Sequence, residues 1–217
     1  FNKGTQHIAE QSLRFDDGDI GVSQDANGMV LTGSNGPDRI QVVGSIPITI
    51  EAGSGDDTIQ GDTINDLIFG QEGDDTIDGN AGNDTLEGGA GSDTIKGGDG
   101  SDVAVFEYDQ TNYTFESSAD GQTITITDTV NNYVDTVTGV ETLKFADGEI
   151  EVSQEADQLV LTGDDTIGDN IEIVGQYPVT VKGRGFDDDI AGSSGADTIE
   201  GGAGDDTLAG GSGDDTI

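Results

Sequence analysis

The chain repeats with a period of nine residues between Ala52 and Val105. Cut in register, the units read AGSGDDTIQ, GDTINDLIF, GQEGDDTID, GNAGNDTLE, GGAGSDTIK and GGDGSDVAV. The period returns near the end of the chain as GRGFDDDIA, GSSGADTIE, GGAGDDTLA and an unfinished GGSGDDTI. A fixed short period predicts stacked units rather than one globular core. Every unit also has an Asp at position six, so a carboxylate recurs at the same point of every unit and is expected to serve the function of the repeat.

Each unit combines a tight turn with a very short strand. Glycines in the first four positions permit positive φ and let the backbone approach a bound ion closely. The last three residues, such as Thr58-Ile59-Gln60, are polar, apolar and polar, which predicts a strand with its middle side chain pointing inward. Two units per turn of a coil would produce two parallel sheets, layered about 4.8 Å apart, with an aliphatic ladder between them.

The units resemble a known calcium-binding motif, GGxGxDxUx, where U is a large aliphatic residue. Gly88 to Lys96 and Gly201 to Ala209 match it at every defined position. This is similar to the hemolysin-type calcium-binding repeat of secreted RTX proteins. The resemblance implies an all-β fold, a right-handed parallel β-roll with two repeats per turn. It also implies Ca²⁺ between loops eighteen residues apart, in a flexible cage of six oxygens that suits Ca²⁺ better than Mg²⁺.

In that family the earlier loop supplies carbonyls from positions two and four, the later loop those from positions one and three, and both supply the Asp. The resemblance therefore implies four columns of Asp ligands: Asp38, Asp57, Asp75 and Asp93; Asp66, Asp84 and Asp102; Asp169, Asp188 and Asp206; Asp197 and Asp215. The implied carbonyl ligands are those of Gly53, Gly55, Gly70, Glu72, Gly73, Gly79, Ala81, Gly82, Gly88, Ala90, Gly97, Asp99, Gly201, Ala203, Gly210 and Ser212. Adjacent Asp pairs amount to about eight calcium sites. Ile64 and Phe186 replace the second glycine of their turns, where a bulky side chain is expected to strain the loop and weaken its sites.

Charge makes folding depend on the metal. The chain has 45 acidic and seven basic residues, a net charge of −38, and only 31 % hydrophobic residues. These values alone predict disorder. At a free calcium concentration tenfold above the dissociation constant, each site would contribute roughly 1.4 kcal/mol, and about eight independent sites roughly 11 kcal/mol. We therefore expect a chain that is unfolded in the cytosol and folded outside the cell.

A longer repeat organises the chain into modules. LRFDDGDIGVSQDANGMVLTG, from Leu13, recurs as LKFADGEIEVSQEADQLVLTG, from Leu143, and the next segments match at an offset of 131 residues. The sequence predicts the end of a first β-rich module (1–32), a calcium-binding β-roll (33–105), a β-rich capping or linking segment (106–162) and a second roll (163–217). Small antiparallel β segments would thus alternate with the rolls. About one and two-thirds modules are present, so we expect a longer parent protein.

Other activities find little support. The chain has no Cys, and its one histidine, His7, belongs to no catalytic triad or zinc motif. The negative charge excludes nucleic acid and anionic membranes as partners, and no apolar run is long enough to span a membrane. We therefore expect no enzymatic activity in this chain.

Three functions are compatible with the repeats or with the roll that they predict. The first is a calcium-folded structural module of a secreted or bacterial cell-surface protein, of the adhesin or surface-layer type, in contact with neighbouring modules or self-associating through calcium bridges. The second is the C-terminal secretion and folding module of an exoenzyme (a protease or lipase) or toxin exported by type I secretion. The third, an ice-binding roll, is rejected because the calcium loops carry no regular outward Thr-x-Asn row. The tandem duplication favours the first.

Overall fold

The computed structural model describes residues 5–8, 11–15, 21–24, 28–44 and 46–217. Within these ranges the regular elements are strands, apart from one short 3-10 turn at Gln110–Asn112. None of these elements is a helix long and apolar enough to cross a membrane. The chain divides into two compact units, Phe1–Val105 with Thr138–Val140, and Phe106–Val137 with Glu141–Ile217.

Short strands build the first unit, and most end where a glycine-rich turn begins. They are β1 (Thr5–Ile8), β2 (Gln11–Phe15), β3 (Gly21–Gln24), β4 (Met29–Thr32), β5 (Arg39–Val43), β6 (Ile48–Ser54), β7 (Thr58–Gln60), β8 (Leu67–Glu72), β9 (Thr76–Ala81), β10 (Thr85–Ala90), β11 (Thr94–Asp99) and β12 (Val103–Val105). One sheet has the order β1-β2-β5-β7-β9-β11 and the other β3-β4-β6-β8-β10-β12. From β4 and β5 onward the neighbouring strands of each sheet pair in parallel, as a solenoid requires. The pairs β1–β2, β2–β5 and β3–β4 are antiparallel.

The core of the first unit consists of two aliphatic ladders. Ile59 pairs in register with Ile77, and Ile77 with Ile95, so the central side chains of successive strands stack. In the other sheet Ile68 stacks on Leu86 in the same way. All five side chains are buried, whereas their polar neighbours point outward. The polar-apolar-polar pattern thus produces the inward ladder that it predicts.

The second unit begins with antiparallel strands and continues as parallel coils. Its strands are β13 (Tyr113–Ser117), β14 (Thr123–Asp128), β15 (Val134–Thr138), β16 (Thr142–Lys144), β17 (Glu149–Glu155), β18 (Gln158–Thr162), β19 (Asn170–Val174), β20 (Val179–Gly185), β21 (Asp189–Ala191), β22 (Thr198–Ala203) and β23 (Thr207–Ala209). Strands β13 and β14 pair antiparallel, as do β16 with β17 and β17 with β18. From β18 and β19 onward the pairs are parallel.

The antiparallel segment of this unit covers the first coil of its roll. Strand β13 pairs in parallel with β19 and places the fully buried Phe115 opposite Ile173. Phe115 also packs edge-on against Phe145, and Phe145 stacks on Phe106 with ring centroids 5.3 Å apart. A solenoid end left open would expose its apolar ladder and sheet edge, so this aromatic cluster supplies a cap. The fold class expected from the sequence, parallel β-roll segments alternating with antiparallel strands, is confirmed.

Candidate metal centre

The position-six aspartates form columns along the edges of the first unit. The backbone amide of Asp57 donates to Oδ1 of Asp75 at 2.8 Å, and that of Asp75 donates to Oδ1 of Asp93 at 2.8 Å. On the other edge the amide of Asp66 donates to Asp84, and that of Asp84 to Asp102, both at 2.8 Å. Each bond joins residues eighteen apart, so the nine-residue period brings every second Asp into one column.

The same columns occur in the second unit and extend to the base of the first. The amide of Asp169 donates to Asp188 at 2.9 Å and that of Asp188 to Asp206 at 3.1 Å. Asp197 donates to Asp215 at 3.0 Å, and in the first unit Asp38 donates to Asp57 at 2.7 Å. The structure therefore assembles the aspartates into the columns that the sequence implied.

The second carboxylate oxygen of these aspartates is buried without a partner in several coils. Asp75 is 1 % exposed, and its Oδ2 accepts no hydrogen bond from any described residue. The same holds for Oδ2 of Asp57, Asp84, Asp169 and Asp188 within the described ranges. A buried charged oxygen without a donor is costly, because it loses its water and gains nothing in exchange. The stacked loops thus contain oxygens that require a donor or a cation.

Backbone carbonyls also line the space between two successive loops of a column, which we call a gap. A Cβ placed on Gly73 would lie 2.2 Å from the carbonyl oxygen of Gly55 in the coil before it, so that carbonyl points toward the next loop. A Cβ on Gly70 would lie 2.5 Å from the carbonyl oxygen of Gly88 and 2.2 Å from Oδ2 of Asp75. The carbonyl of Glu72 accepts the Gly55 amide at 2.7 Å and so also faces the earlier loop. Oxygens from both loops therefore line each gap.

Burial raises the pKa of the column aspartates. The pKa of Asp75 rises from its ordinary value of 3.8 to about 7, first because burial removes water and then because Asp93 and Asp57 carry like charge. Burial likewise raises the pKa of Asp66 and Asp169 to about 7. It raises the pKa of Asp84 and Asp93 to about 6. Each shift means that the folded columns disfavour the ionised carboxylates in the absence of a counter-ion.

The comparison with known families identifies the repeat. A family model described as the RTX calcium-binding nonapeptide repeat, four copies long, matches residues 51–86, 78–104 and 182–217. The chain carries RTX calcium-binding nonapeptide repeats. None of the curated proteins compared with it matches the chain significantly. The chain also resembles part of a solved structure, the extracellular lipase LipA from Serratia marcescens, at 20 % identity over 71 % of this chain and 31 % of the lipase chain, with a TM-score of 0.26. That likeness is too low to bear on function.

The oxygens present fit Ca²⁺, the ion that the description of the matching family names. Carboxylates and carbonyls are hard oxygen ligands, and Ca²⁺ accepts six to eight of them in flexible geometry. Each gap pairs two Asp side chains and completes its lining with carbonyls. The described residues contain no cluster of three or more His, Cys, Asp or Glu side chains that could hold a metal ion. His7 lies in a strand whose side chains are outside the described part of the chain.

The two loops with a bulky residue at position four behave differently. Phe186 has a φ of 73° and a side chain 54 % exposed, so the strain expected from its Cβ is present. Ile64, in contrast, does not adopt a positive φ. Its amide instead donates to Oδ1 of Asp62 at 2.9 Å, which gives the turn a different shape. A polar side chain at position two therefore removes the strain in this RTX loop.

Sequence reasoning missed a group of residues at the starts of the columns. Asp62, Ser34 and Ser193 stand at position two of the first loop in their column, and the amide of each donates to Oδ2 of the Asp in its own loop. Gln110 is fully buried, and its Nε2 donates to Oδ1 of Asp169 at 3.1 Å. The available signal was a Ser or Asp in place of the second motif glycine. Gln110, 59 residues before its partner, gave no local signal.

Proposed function

We propose that this chain is a calcium-binding structural module of a secreted or cell-surface protein and that it folds when Ca²⁺ binds outside the cell. The observation that carries the proposal is the row of buried Asp oxygens, such as Oδ2 of Asp57 and Asp75, that accept no hydrogen bond from the described residues. Rows of ionised carboxylates repel one another. A divalent ion between loops would supply the positive charge that cancels this repulsion and links successive coils.

One gap illustrates how the residues would hold the ion. Between Asp57 and Asp75, the earlier loop presents the carbonyls of Gly53 and Gly55 and the later loop those of Gly70 and Glu72. Of these, the carbonyls of Gly55 and Glu72 face this gap in the structure. A carbonyl has two lone pairs, so Glu72 can accept the amide of Gly55 and still bind a cation.

The charge balance supports a site of action outside the cell. At a net charge of −38, a chain without bound cations pays a large self-repulsion on becoming compact. Millimolar extracellular calcium would offset it by binding only the folded state, whereas the submicromolar calcium of a cytosol would not. The module would therefore be exported unfolded and would fold when it binds extracellular calcium.

A structural role fits the exposed surface as well. The position-five aspartates Asp56 and Asp74 are exposed, and the amide of Asp74 donates to Oδ1 of Asp56 at 3.1 Å. This ladder places carboxylates outside the gaps, where calcium can bridge two copies or two neighbouring modules. We propose adhesion or surface-layer assembly as the biological setting.

Small-angle scattering of the 217-residue chain in metal-stripped buffer, with and without millimolar calcium, tests the folding proposal. The expected result is a compact particle with calcium and an expanded chain without it. Magnesium at equal concentration is the control and is expected to compact the chain far less, because Mg²⁺ releases its waters reluctantly. A chain that has the same compact dimensions in all three buffers would contradict the proposal.

A further inference from the structure

Two loops occupy equivalent places in the two modules, 131 residues apart, yet differ at position two. Loop 61–66 contains Asp62, and loop 192–197 contains Ser193. Each loop starts its column: Oδ1 of Asp66 accepts the Ile48 amide at 3.3 Å, and Oδ1 of Asp197 accepts the Val179 amide at 2.9 Å. The two loops therefore form a matched pair within one chain.

Ser193 closes its loop with hydrogen bonds from the chain itself. Its amide donates to Oδ2 of Asp197 at 2.7 Å and its hydroxyl donates to the same oxygen at 3.0 Å. The hydroxyl oxygen accepts the Gly195 amide at 3.0 Å. Both carboxylate oxygens of Asp197 thus have donors, and the buried hydroxyl is satisfied as well. Neither Ser193 nor Asp197 therefore has a buried side-chain oxygen that lacks a hydrogen-bond partner among the described residues.

Asp62 leaves its loop with an excess of negative charge. Its amide donates to Oδ2 of Asp66 at 2.9 Å, as Ser193 does in the other loop. The Asp62 carboxylate, however, cannot donate when ionised. Its Oδ1 accepts the amides of Thr63 and Ile64, whereas Oδ2 accepts no hydrogen bond from the described residues. Asp62 is only 4 % exposed, so this oxygen has lost its water without gaining a partner.

The neighbours of Asp62 make a cation the fitting partner. Burial first, and the negative charge of Asp62 among the further causes, raises the pKa of Asp66, which lies in the same loop, to about 7 and the pKa of Asp84, one coil further, to about 6. The unpartnered oxygen of Asp62 thus adds a buried negative charge in the loop that supplies Asp66 to the gap. An added charged oxygen ligand strengthens the attraction for a divalent ion.

We propose that Asp62 is a calcium ligand outside the nonapeptide motif that keeps the gap between Asp66 and Asp84 occupied, whereas Ser193 closes the equivalent gap between Asp197 and Asp215 so that it binds no ion. The inference rests on the proposed function. It predicts that the residue at position two of a column-starting loop decides whether the gap above that loop contains calcium.

A reciprocal exchange tests the inference. The 217-residue chain and the variants Asp62→Ser and Ser193→Asp are saturated with calcium, and bound ions are counted by native mass spectrometry. Asp62→Ser is expected to lose one ion and Ser193→Asp to gain one. The matched controls change charge at exposed positions outside the proposed sites: Asp109→Ser and Ala196→Asp should leave the count on the single chain unchanged.

The outcomes separate the two proposals. An unchanged ion count in Asp62→Ser, or in a folded Ser193→Asp, overturns this inference while leaving the proposed function intact. If the unaltered chain binds no calcium, the proposed function itself fails. If Ser193→Asp does not become compact in calcium, the ion count of Asp62→Asn is used instead. This variant keeps the size of the side chain and an oxygen that accepts the Ile64 amide. If the Asp62→Asn variant retains every ion, the inference is overturned.

Discussion

The side-chain amide of Gln110 donates to Oδ1 of Asp169 at 3.1 Å, and the Asn170 amide donates to Oε1 of Gln110 at 3.0 Å. In the coils above, the same two places are filled by backbone groups: the Asp169 amide donates to Asp188, and the Asp169 carbonyl accepts the Asp189 amide. The carboxamide of Gln110 thus replaces the peptide group of a missing coil at the start of the second roll.

Replacing Gln110 with Leu should destabilise the start of the second roll. The change leaves the Asn170 amide and one Asp169 oxygen buried without partners, a cost of about 1–3 kcal/mol. Hydrogen exchange in saturating calcium should show faster exchange at the Asn170 amide and at the first coil of that roll. Gln176→Leu, at an exposed position, is the control. Equal protection in the two variants would rule out the capping role of Gln110.

Asp75→Asn should weaken two calcium sites, because Asp75 lies between the gaps to Asp57 and to Asp93. At a calcium concentration tenfold above the dissociation constant, losing both ions would remove roughly 3 kcal/mol of stability. Native mass spectrometry and urea unfolding in calcium measure the two effects. Asp109→Asn is the matched control, because Asp109 is exposed and lies outside the repeats. If the two variants bind equal numbers of ions, Asp75 is not a ligand.

Acid should partly replace calcium. The pKa values of Asp75 and Asp169 rise to about 7, mainly through burial, so below pH 7 the folded state binds protons that the unfolded state does not bind until about pH 3.8. The stability of the metal-free chain should therefore increase as the pH falls from about 7.5 to about 5. Scattering and circular dichroism in metal-stripped buffer test this. In calcium the direction reverses, since protons compete with the ion. A metal-free chain equally expanded at both pH values would contradict this prediction.

Gly91→Ala should prevent close stacking of the first roll. Gly91 has a φ of 144°, and a Cβ there would lie 2.0 Å from the carbonyl oxygen of Gly73. Strain of this kind typically costs about 1–3 kcal/mol. We expect a higher calcium midpoint for compaction, measured by scattering. The control, Gly36→Ala, introduces a Cβ that meets no described atom within 4 Å. Identical calcium midpoints for the two variants would contradict the observed loop geometry.

The repeat alone was enough to predict the coil and its Asp columns. Asp57 and Asp75 stack because eighteen residues make one turn, and Ile59 and Ile77 stack for the same reason. Such contacts are local in a solenoid, since each unit touches only its neighbours. The period, the inward ladder and the alignment of the position-six carboxylates could therefore be derived from the sequence.

The tertiary structure decided what happens where the repetition begins. Gln110 reaches Asp169 across 59 residues, and no periodic pattern predicts such a contact. Asp62 and Ser193 occupy equivalent positions but have different effects. Asp62 has a buried oxygen without a donor, whereas Ser193 donates to Asp197 and has its own hydroxyl satisfied. Periodicity determines which residues stack, but the first coil of a column has no predecessor. Its polar groups must find partners elsewhere in the fold, and only the folded arrangement shows which ones do.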